Sequence, residues 1–324
     1  MNKGLHRYTL LVTFATFCLL IAGALVTSHD AGLATPDWPL SNGQVFPKMV
    51  GNLFWEHGHR LVATTVGLLT IGLVIYFYLG VLTAWLVRRG LVRDKGGPYR
   101  GEPRRWVRRL AVVALGAVVA QGLLGGLTVK LMLPLAVSAA HATLAQLFFC
   151  TMVSLSIFTS AGWQEDRRTL TDKGTVPLRY LLVAATVTIF LQLILGATLR
   201  HSAPWDRLLP IELVLAHIGG AVAVTLLLGS AVLLVFRRHA AERYLTNPAR
   251  IVLVLLVLQL FLGIAAYLTR LASPNDPQPL NPMIGITVAH VACGALVFAT
   301  TIVLTLRAFR IMRASEPAFE LAAA

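Results

Sequence analysis

Trp55-Glu56-His57-Gly58-His59-Arg60-Leu61-Val62-Ala63 leads into an apolar run that continues to residue 87. About 20 such residues suffice to cross a bilayer as a helix. A histidine near the start of an apolar run, with a small residue four positions on, occurs four times: His59 with Ala63, His141 with Ala145, His217 with Ala221 and His290 with Gly294. Positions i and i+4 share a helix face, so each small residue clears space beside an imidazole. A lone helical histidine is ordinarily a hydrogen-bonded packing residue. Ionisable groups within a membrane are costly and usually functional, and four at matched depth in matched pairs argue for ligands. Two facing pairs with cleared space could each clamp a haem iron from both sides.

The composition sets the fold class. The chain has 324 residues, 56% hydrophobic and 13% charged, where soluble domains carry roughly 25% charged residues. Eight runs are long enough to span: 8–28, 58–87, 108–130, 136–160, 178–200, 212–236, 250–270 and 284–308. They are continuous, whereas a β-barrel would show alternating segments of about 10 residues. The first run is too long for a signal peptide's apolar region and no small-residue cleavage site follows it. The expectation is an all-α integral membrane protein of eight transmembrane helices.

Basic residues orient it. Lys3 and Arg7 precede span 1. Arg88, Arg89, Arg93, Lys95, Arg100, Arg104, Arg105, Arg108 and Arg109 follow span 2, and Arg167, Arg168, Lys173 and Arg179 follow span 4. Arg237, Arg238, Arg243 and Arg250 follow span 6, and Arg307, Arg310 and Arg313 follow span 8. Eight crossings put all five clusters on one side, with both termini cytoplasmic. The net charge of +14 follows from that topology and implies no nucleic acid. Cys18, Cys150 and Cys293 lie within spans, so no disulfide is expected. There is no C-x-x-C-H haem attachment, no phosphate-binding glycine loop and no zinc-spaced cysteine set.

The chain reads as a tandem repeat of two pseudo-twofold-related four-helix bundles, 1–165 and 166–324, with the join around 161–178. Odd-numbered spans end alike, in Gly125-Gly126-Leu127-Thr128-Val129-Lys130, in Gly196-Ala197-Thr198-Leu199-Arg200, and from Gly263 to Leu268-Thr269-Arg270. Even-numbered spans begin with the histidines. Parallel repeats of this kind have an axis along the membrane normal, with a cofactor site between the helices of each bundle. Lys130, Arg200 and Arg270 break the cytoplasmic bias. They stand at helix C-termini, where the dipole favours a cation, and either snorkel to headgroups or pair with haem propionates.

The two halves differ. Aligning His217 with His59 puts Val214 opposite Glu56 and Ile218 opposite Arg60. Glu56 shares the His59 face and can reach the same ligand; the alternative is an acid held by the helix dipole. The first outer connection, Gly32-Leu33-Ala34-Thr35-Pro36-Asp37-Trp38-Pro39-Leu40 and on to Phe46-Pro47, follows a rigid, proline-fixed path. It is either a cover over the first site or an ordinary anchored loop. His6 and His239 are expected to be solvated among basic residues. His29, His57 and His201 are read as surface residues or partners of the ligands.

The Gly-Leu-x-x-Pro-Asp-Trp-Pro loop, the Glu-His-Gly-His-Arg start of span 2, and one histidine each on spans 2, 4, 6 and 8 resemble the haem A synthase family along essentially the whole chain. The resemblance implies an oxidoreductase that oxidises a ring methyl of haem O to a formyl group, through hydroxylated intermediates, giving haem A for terminal oxidases. It implies that His59 and His141 hold the substrate haem, that His217 and His290 ligate a resident haem b, and that Glu56 is the catalytic carboxylate. Arg60, which follows the substrate-site histidine, joins Lys130, Arg200 and Arg270 as a candidate propionate partner. Partners implied are haem O, membrane lipid, haem O synthase and oxidase assembly factors, and a homo-oligomer is compatible with the family. Many bacterial members carry a loop cysteine pair where this chain has Thr35 and Ser41, which resembles a cysteine-free-loop subgroup. Thr27 replaces an arginine often found at the end of span 1. The absence of a transit-like N-terminus points to a bacterial plasma membrane.

Oxidising an unactivated methyl twice needs an electron sink and a source of oxygen. An iron with two histidine ligands has no open position for O₂. The expected chemistry withdraws electrons from the ring and lets water attack the cationic carbon, with Glu56 stabilising the charge or taking a proton. Two other readings stay open: a b-type dihaem cytochrome that only transfers electrons, and a histidine-dependent transporter.

Overall fold

A computed structural model describes residues 3–91, 105–165, 169–172, 177–202, 209–271 and 280–314. Among the described residues, eight long helices are apolar enough to cross a membrane: α1 (Lys3–Ser28), α2 (Asn52–Arg88), α3 (Arg105–Lys130), α4 (Leu135–Phe158), α6 (Leu178–His201), α7 (Ile211–Arg238), α8 (Arg243–Leu271) and α9 (Asn281–Ile311). The protein is thus an all-α, multi-pass membrane protein in class, as expected. Arg93, Lys95, Arg100, Arg104, Arg167, Arg168 and Lys173, part of the orientation argument, lie outside the described residues.

Most helices outrun the apolar spans because polar residues continue the hydrogen-bond ladder past the apolar core. The α2 helix begins six residues before the expected span, at Asn52. Glu56 therefore falls beyond the first turn, which contains no acid, so the helix dipole does not account for it. In α8 the extension carries Pro248 in its second turn.

Two short elements were not expected. Helix α5 (Ala161–Glu165) follows α4, and strand β1 (Leu170–Asp172) pairs in parallel with β2 (Met312–Ala314), with Leu170 opposite Met312. Asp172 is buried and accepts from the backbone N–H groups of Leu178 and Arg179 at 3.0 and 3.3 Å. It thereby satisfies donors that the start of α6 cannot pair within the helix.

The long helices pack in sequence order, α1–α2–α3–α4 and back to α1, then α6–α7–α8–α9 and back to α6. Between the two sets, α4 meets α6 and α9, and α1 meets α9. Alanines such as Ala111, Ala114, Ala185 and Ala249 are fully buried, which lets helices approach closely where lipid gives no hydrophobic drive. Leu68, Leu123, Leu226 and Phe261 point outward, as a lipid-facing surface requires.

The same contacts recur at equivalent points. Thr13 on α1 hydrogen-bonds Ser156 on α4 at 2.8 Å, and Thr186 on α6 hydrogen-bonds Thr305 on α9 at 3.1 Å. One turn on, Phe17 packs on Phe149, and Phe190 on Phe298.

Candidate functional site

All four singled-out histidines lie in the first three turns of their helices, on α2, α4, α7 and α9. Each ring directs Cε1 at a glycine on the preceding long helix: Gly23 of α1 under His59, Gly125 of α3 under His141, Gly196 of α6 under His217 and Gly263 of α8 under His290. A Cβ at these glycines would stand 3.1, 3.1, 3.0 and 3.0 Å from that carbon. Interior helical glycine costs about 0.5–1 kcal/mol relative to alanine. Here it is what admits the imidazole between two helices.

The rings of His217 and His290 have centroids 6.5 Å apart and planes inclined at 69°. His59 and His141 lie within each other's electrostatic reach. The Nδ1 atoms of His59, His141 and His290 are buried with no hydrogen-bond partner.

Three glutamines, not singled out in the sequence, touch three of these rings. The Gln121 amide nitrogen is 3.3 Å from Nε2 of His141 and donates to that residue's carbonyl at 3.0 Å. The Gln192 amide is 3.1 Å from Nδ1 of His217 and donates to its carbonyl at 2.7 Å. The Gln259 amide is 3.3 Å from Nε2 of His290. Space beside Gly294, expected to suit a flat group, is taken by Gln259, whose amide nitrogen a Cβ there would meet at 3.1 Å. The signal was present as Gln-x-x-x-Gly at 121–125, 192–196 and 259–263.

Glu56 is buried, and its equivalent, Val214, is equally so. The Glu56 carboxylate pairs with Arg60 one turn later and accepts from the Thr35 N–H at 3.0 Å. Arg60 also donates to the carbonyls of Asp37 and Leu40, at 3.0 and 2.6 Å, and to Ser41 Oγ at 3.1 Å. Its guanidinium is thereby spent on Glu56 and the loop.

His57 lies within α2, buried, and binds the same loop: Ser41 Oγ is 2.9 Å from Nδ1 and the Val45 carbonyl 3.0 Å from Nε2. A carbonyl only accepts, so Nε2 carries the proton and Nδ1 accepts from the Ser41 hydroxyl. Thr35 and Ser41, where a cysteine pair was considered, are fully buried and hydrogen-bonded within this network. Trp38 crosses to α3, where a Cβ on Gly126 would meet its indole at 2.6 Å.

Asp37 accepts from the Gly43 and Asn42 N–H groups at 2.8 and 3.0 Å. The Gly43 bond, above all, holds its carboxyl below the ordinary range; Asn42 and Arg60 add to this.

Lys130 reaches the Pro36 carbonyl at 3.5 Å. Arg200 donates to Ser28 Oγ at 3.3 Å and lies close enough to Arg270 to feel its charge. His29 stacks on Trp55 with centroids 3.9 Å apart, and His201 ends α6. His6, expected to be solvated, contacts the Thr159 hydroxyl at 3.2 Å. His239, also expected to be solvated, has a buried Nε2, and burial lowers its pKa.

The profile of the COX15-CtaA family, described as a cytochrome oxidase assembly protein, matches residues 48–204. The heme A synthase of Bacillus licheniformis is 26% identical over 292 residues, covering 84% of this chain and 88% of that protein. The heme A synthase of Shouchella clausii is 26% identical over 289 residues, covering 83% and 88%. A shorter match, 36% over 78 residues, covers 24% of this chain and 26% of the Exiguobacterium sibiricum heme A synthase. By these comparisons, and in its paired histidine helices, the chain is similar to heme A synthases over most of its length.

Proposed function

We propose that this chain is a haem A synthase, an integral membrane oxidoreductase that converts a ring methyl of haem O to a formyl group to make haem A for terminal oxidases. One observation carries the proposal: four glycine-backed imidazoles recur on matched helices, and among the described residues the first two have a buried carboxylate and a strapped loop beside them. We assign residues 1–165 to a substrate bundle and 166–324 to a cofactor bundle. The recurrence of Thr13–Ser156 and Phe17–Phe149 as Thr186–Thr305 and Phe190–Phe298 supports that division.

The residues fit an iron porphyrin. The rings of His217 and His290 come from separate helices to within 6.5 Å of one another, centroid to centroid, and the Nδ1 atoms of His59, His141 and His290 are buried without a hydrogen-bond partner, as imidazoles that await a metal would be. His217 and His290 would hold a haem b, which supplies one-electron transfer when bound. Arg200 and Arg270, near each other at the ends of the two helices whose Gly196 and Gly263 back that pair, are proposed partners of its propionates. His59 and His141 would hold haem O, with Lys130, on the helix that backs His141, as its proposed propionate partner.

The conversion takes its oxygen from water and needs an external electron acceptor: methyl plus one water gives formyl, four protons and four electrons, in two two-electron stages, the electrons leaving to a membrane electron carrier. Glu56, one turn from His59, would take a proton from that water or steady positive charge on the methyl carbon. Arg60 and the Thr35 N–H hold the carboxylate in place. The Trp38 loop would exclude bulk water from the reacting carbon. Both termini are proposed to be cytoplasmic, a reading that the basic clusters support, and the membrane is proposed to be a bacterial plasma membrane. Haem O synthase, oxidase assembly factors and further copies of this chain are proposed partners.

Co-expression with a haem O source in a host lacking haem A, followed by haem extraction and chromatography, tests this. Haem A or its hydroxylated precursor is expected; unchanged haem O despite bound haem would make the protein an electron carrier.

A further inference from the structure

The Gln-x-x-x-Gly pattern has one exception. Helices α3, α6 and α8 place a glutamine one turn before the glycine that backs a histidine, whereas α1 places Leu19 one turn before Gly23. Leu19 packs into the apolar cluster of the first four helices. His59 is therefore the one ring of the four whose backing helix offers no polar group at this position.

The glutamines are half-used. Gln121 and Gln192 each spend the amide nitrogen on a histidine carbonyl, while the Oε1 atoms of Gln121, Gln192 and Gln259 are all buried without a donor. A buried acceptor left unpaired is costly. The missing donor stands alongside, since each amide is within 3.3 Å of a ring nitrogen. Once one nitrogen of an imidazole is committed to a metal, the other carries a proton and needs an acceptor. A small turn of ring or amide gives it Oε1. The amide nitrogens of Gln121 and Gln192 keep their carbonyl bonds.

We propose that Gln121, Gln192 and Gln259 are positioning residues that accept the ring N–H of His141, His217 and His290, and that His59, whose backing helix carries Leu19 at that position, is the ligand that lets go when haem enters and leaves. This rests on the reading of His59 and His141 as holders of the substrate haem. The distribution suits the two tasks. A site that swaps substrate for product at each turnover has one unanchored ligand, and a site that retains its haem has none. Acceptors behind metal-bound histidines are worth about 10- to 100-fold in metal affinity, enough to separate a haem that exchanges from one that stays.

The test uses the full chain in detergent, loaded with ferric haem b at both sites and mixed with excess apomyoglobin, the transfer being followed in the Soret band. Two phases are expected. Leu19→Gln should slow the fast phase about tenfold and leave the slow one; Gln192→Leu should speed the slow phase about tenfold. Gln121→Leu, which should speed the fast phase, serves as a second variant for the first site. Gln192→Glu should lower the midpoint potential of the retained haem at unchanged haem content, a shift that mere packing by the side chain would not produce. Protein that takes up no haem would overturn the ligand reading and this inference together. Two bound haems whose fast phase ignores both Leu19→Gln and Gln121→Leu would overturn this inference alone.

Discussion

Trp38 lies against Gly126 so closely that a Cβ there would meet the indole at 2.6 Å. Its neighbour Gly125 backs the ring of His141, so consecutive glycines on α3 receive a loop aromatic and a histidine. The other half has Gly196-Ala197 and Gly263-Ile264 at the corresponding places, with no second glycine. Gly126→Ala should therefore displace the loop while sparing the haem sites, since overpacking costs about 1–3 kcal/mol. Faster tryptic cleavage at the exposed Lys48, with unchanged haem content and reduced conversion, is the expected result.

Gly196 makes the opposite prediction. Its added Cβ would press on His217, so Gly196→Leu should remove the haem of the second half and leave that of the first. Pyridine haemochrome assay against protein concentration checks this; full haem content would show that the glycine is not needed for the ring.

Replacing Glu56 with Gln keeps the shape and removes the charge. If the carboxylate acts as a base, conversion should fall about 10²- to 10⁴-fold, with haem still bound. Chromatography of extracted haems reads the loss. Undiminished haem A would remove Glu56 from the chemistry.

The loop should also respond to acid in a defined direction. The Gly43 N–H, foremost, keeps the Asp37 carboxyl below the ordinary value of 3.8. A depressed folded pKa means that the closed loop has its full contribution from Asp37 above the unfolded value and loses it as pH falls through the folded one. Tryptophan fluorescence should thus report loop opening only below the usual carboxylate range. Asp37→Asn should abolish that acid transition.

Much of this was legible in the chain. The eight spans follow from apolar runs alone, and the histidines from their matched places in those runs. Less legible was what each histidine rests on. Gly125, Gly196 and Gly263 stood out as a repeated ending, but Gly23 sits in an unremarkable apolar stretch, and only helix pairing shows it under His59. Gln121, Gln192 and Gln259 were not singled out, because a helix–helix contact has no local sequence period. His57 read as either a surface residue or a partner of the ligands, because α2 was expected to start at 58. The six-residue extension turns it inward, onto Ser41 and the Val45 carbonyl. The parallel pairing of 170–172 with 312–314 joins segments far apart in sequence, too short to carry an alternation of their own.

The claim beneath all of this is that imidazoles from α2 and α4, and from α7 and α9, grip two iron porphyrins. Low-temperature electron paramagnetic resonance of the ferric, haem-loaded protein tests it most directly. The account predicts two low-spin bis-imidazole signals, of which His217→Ala removes one and His59→Ala the other. A colourless protein after expression with ample haem, or signals indifferent to both substitutions, would contradict it.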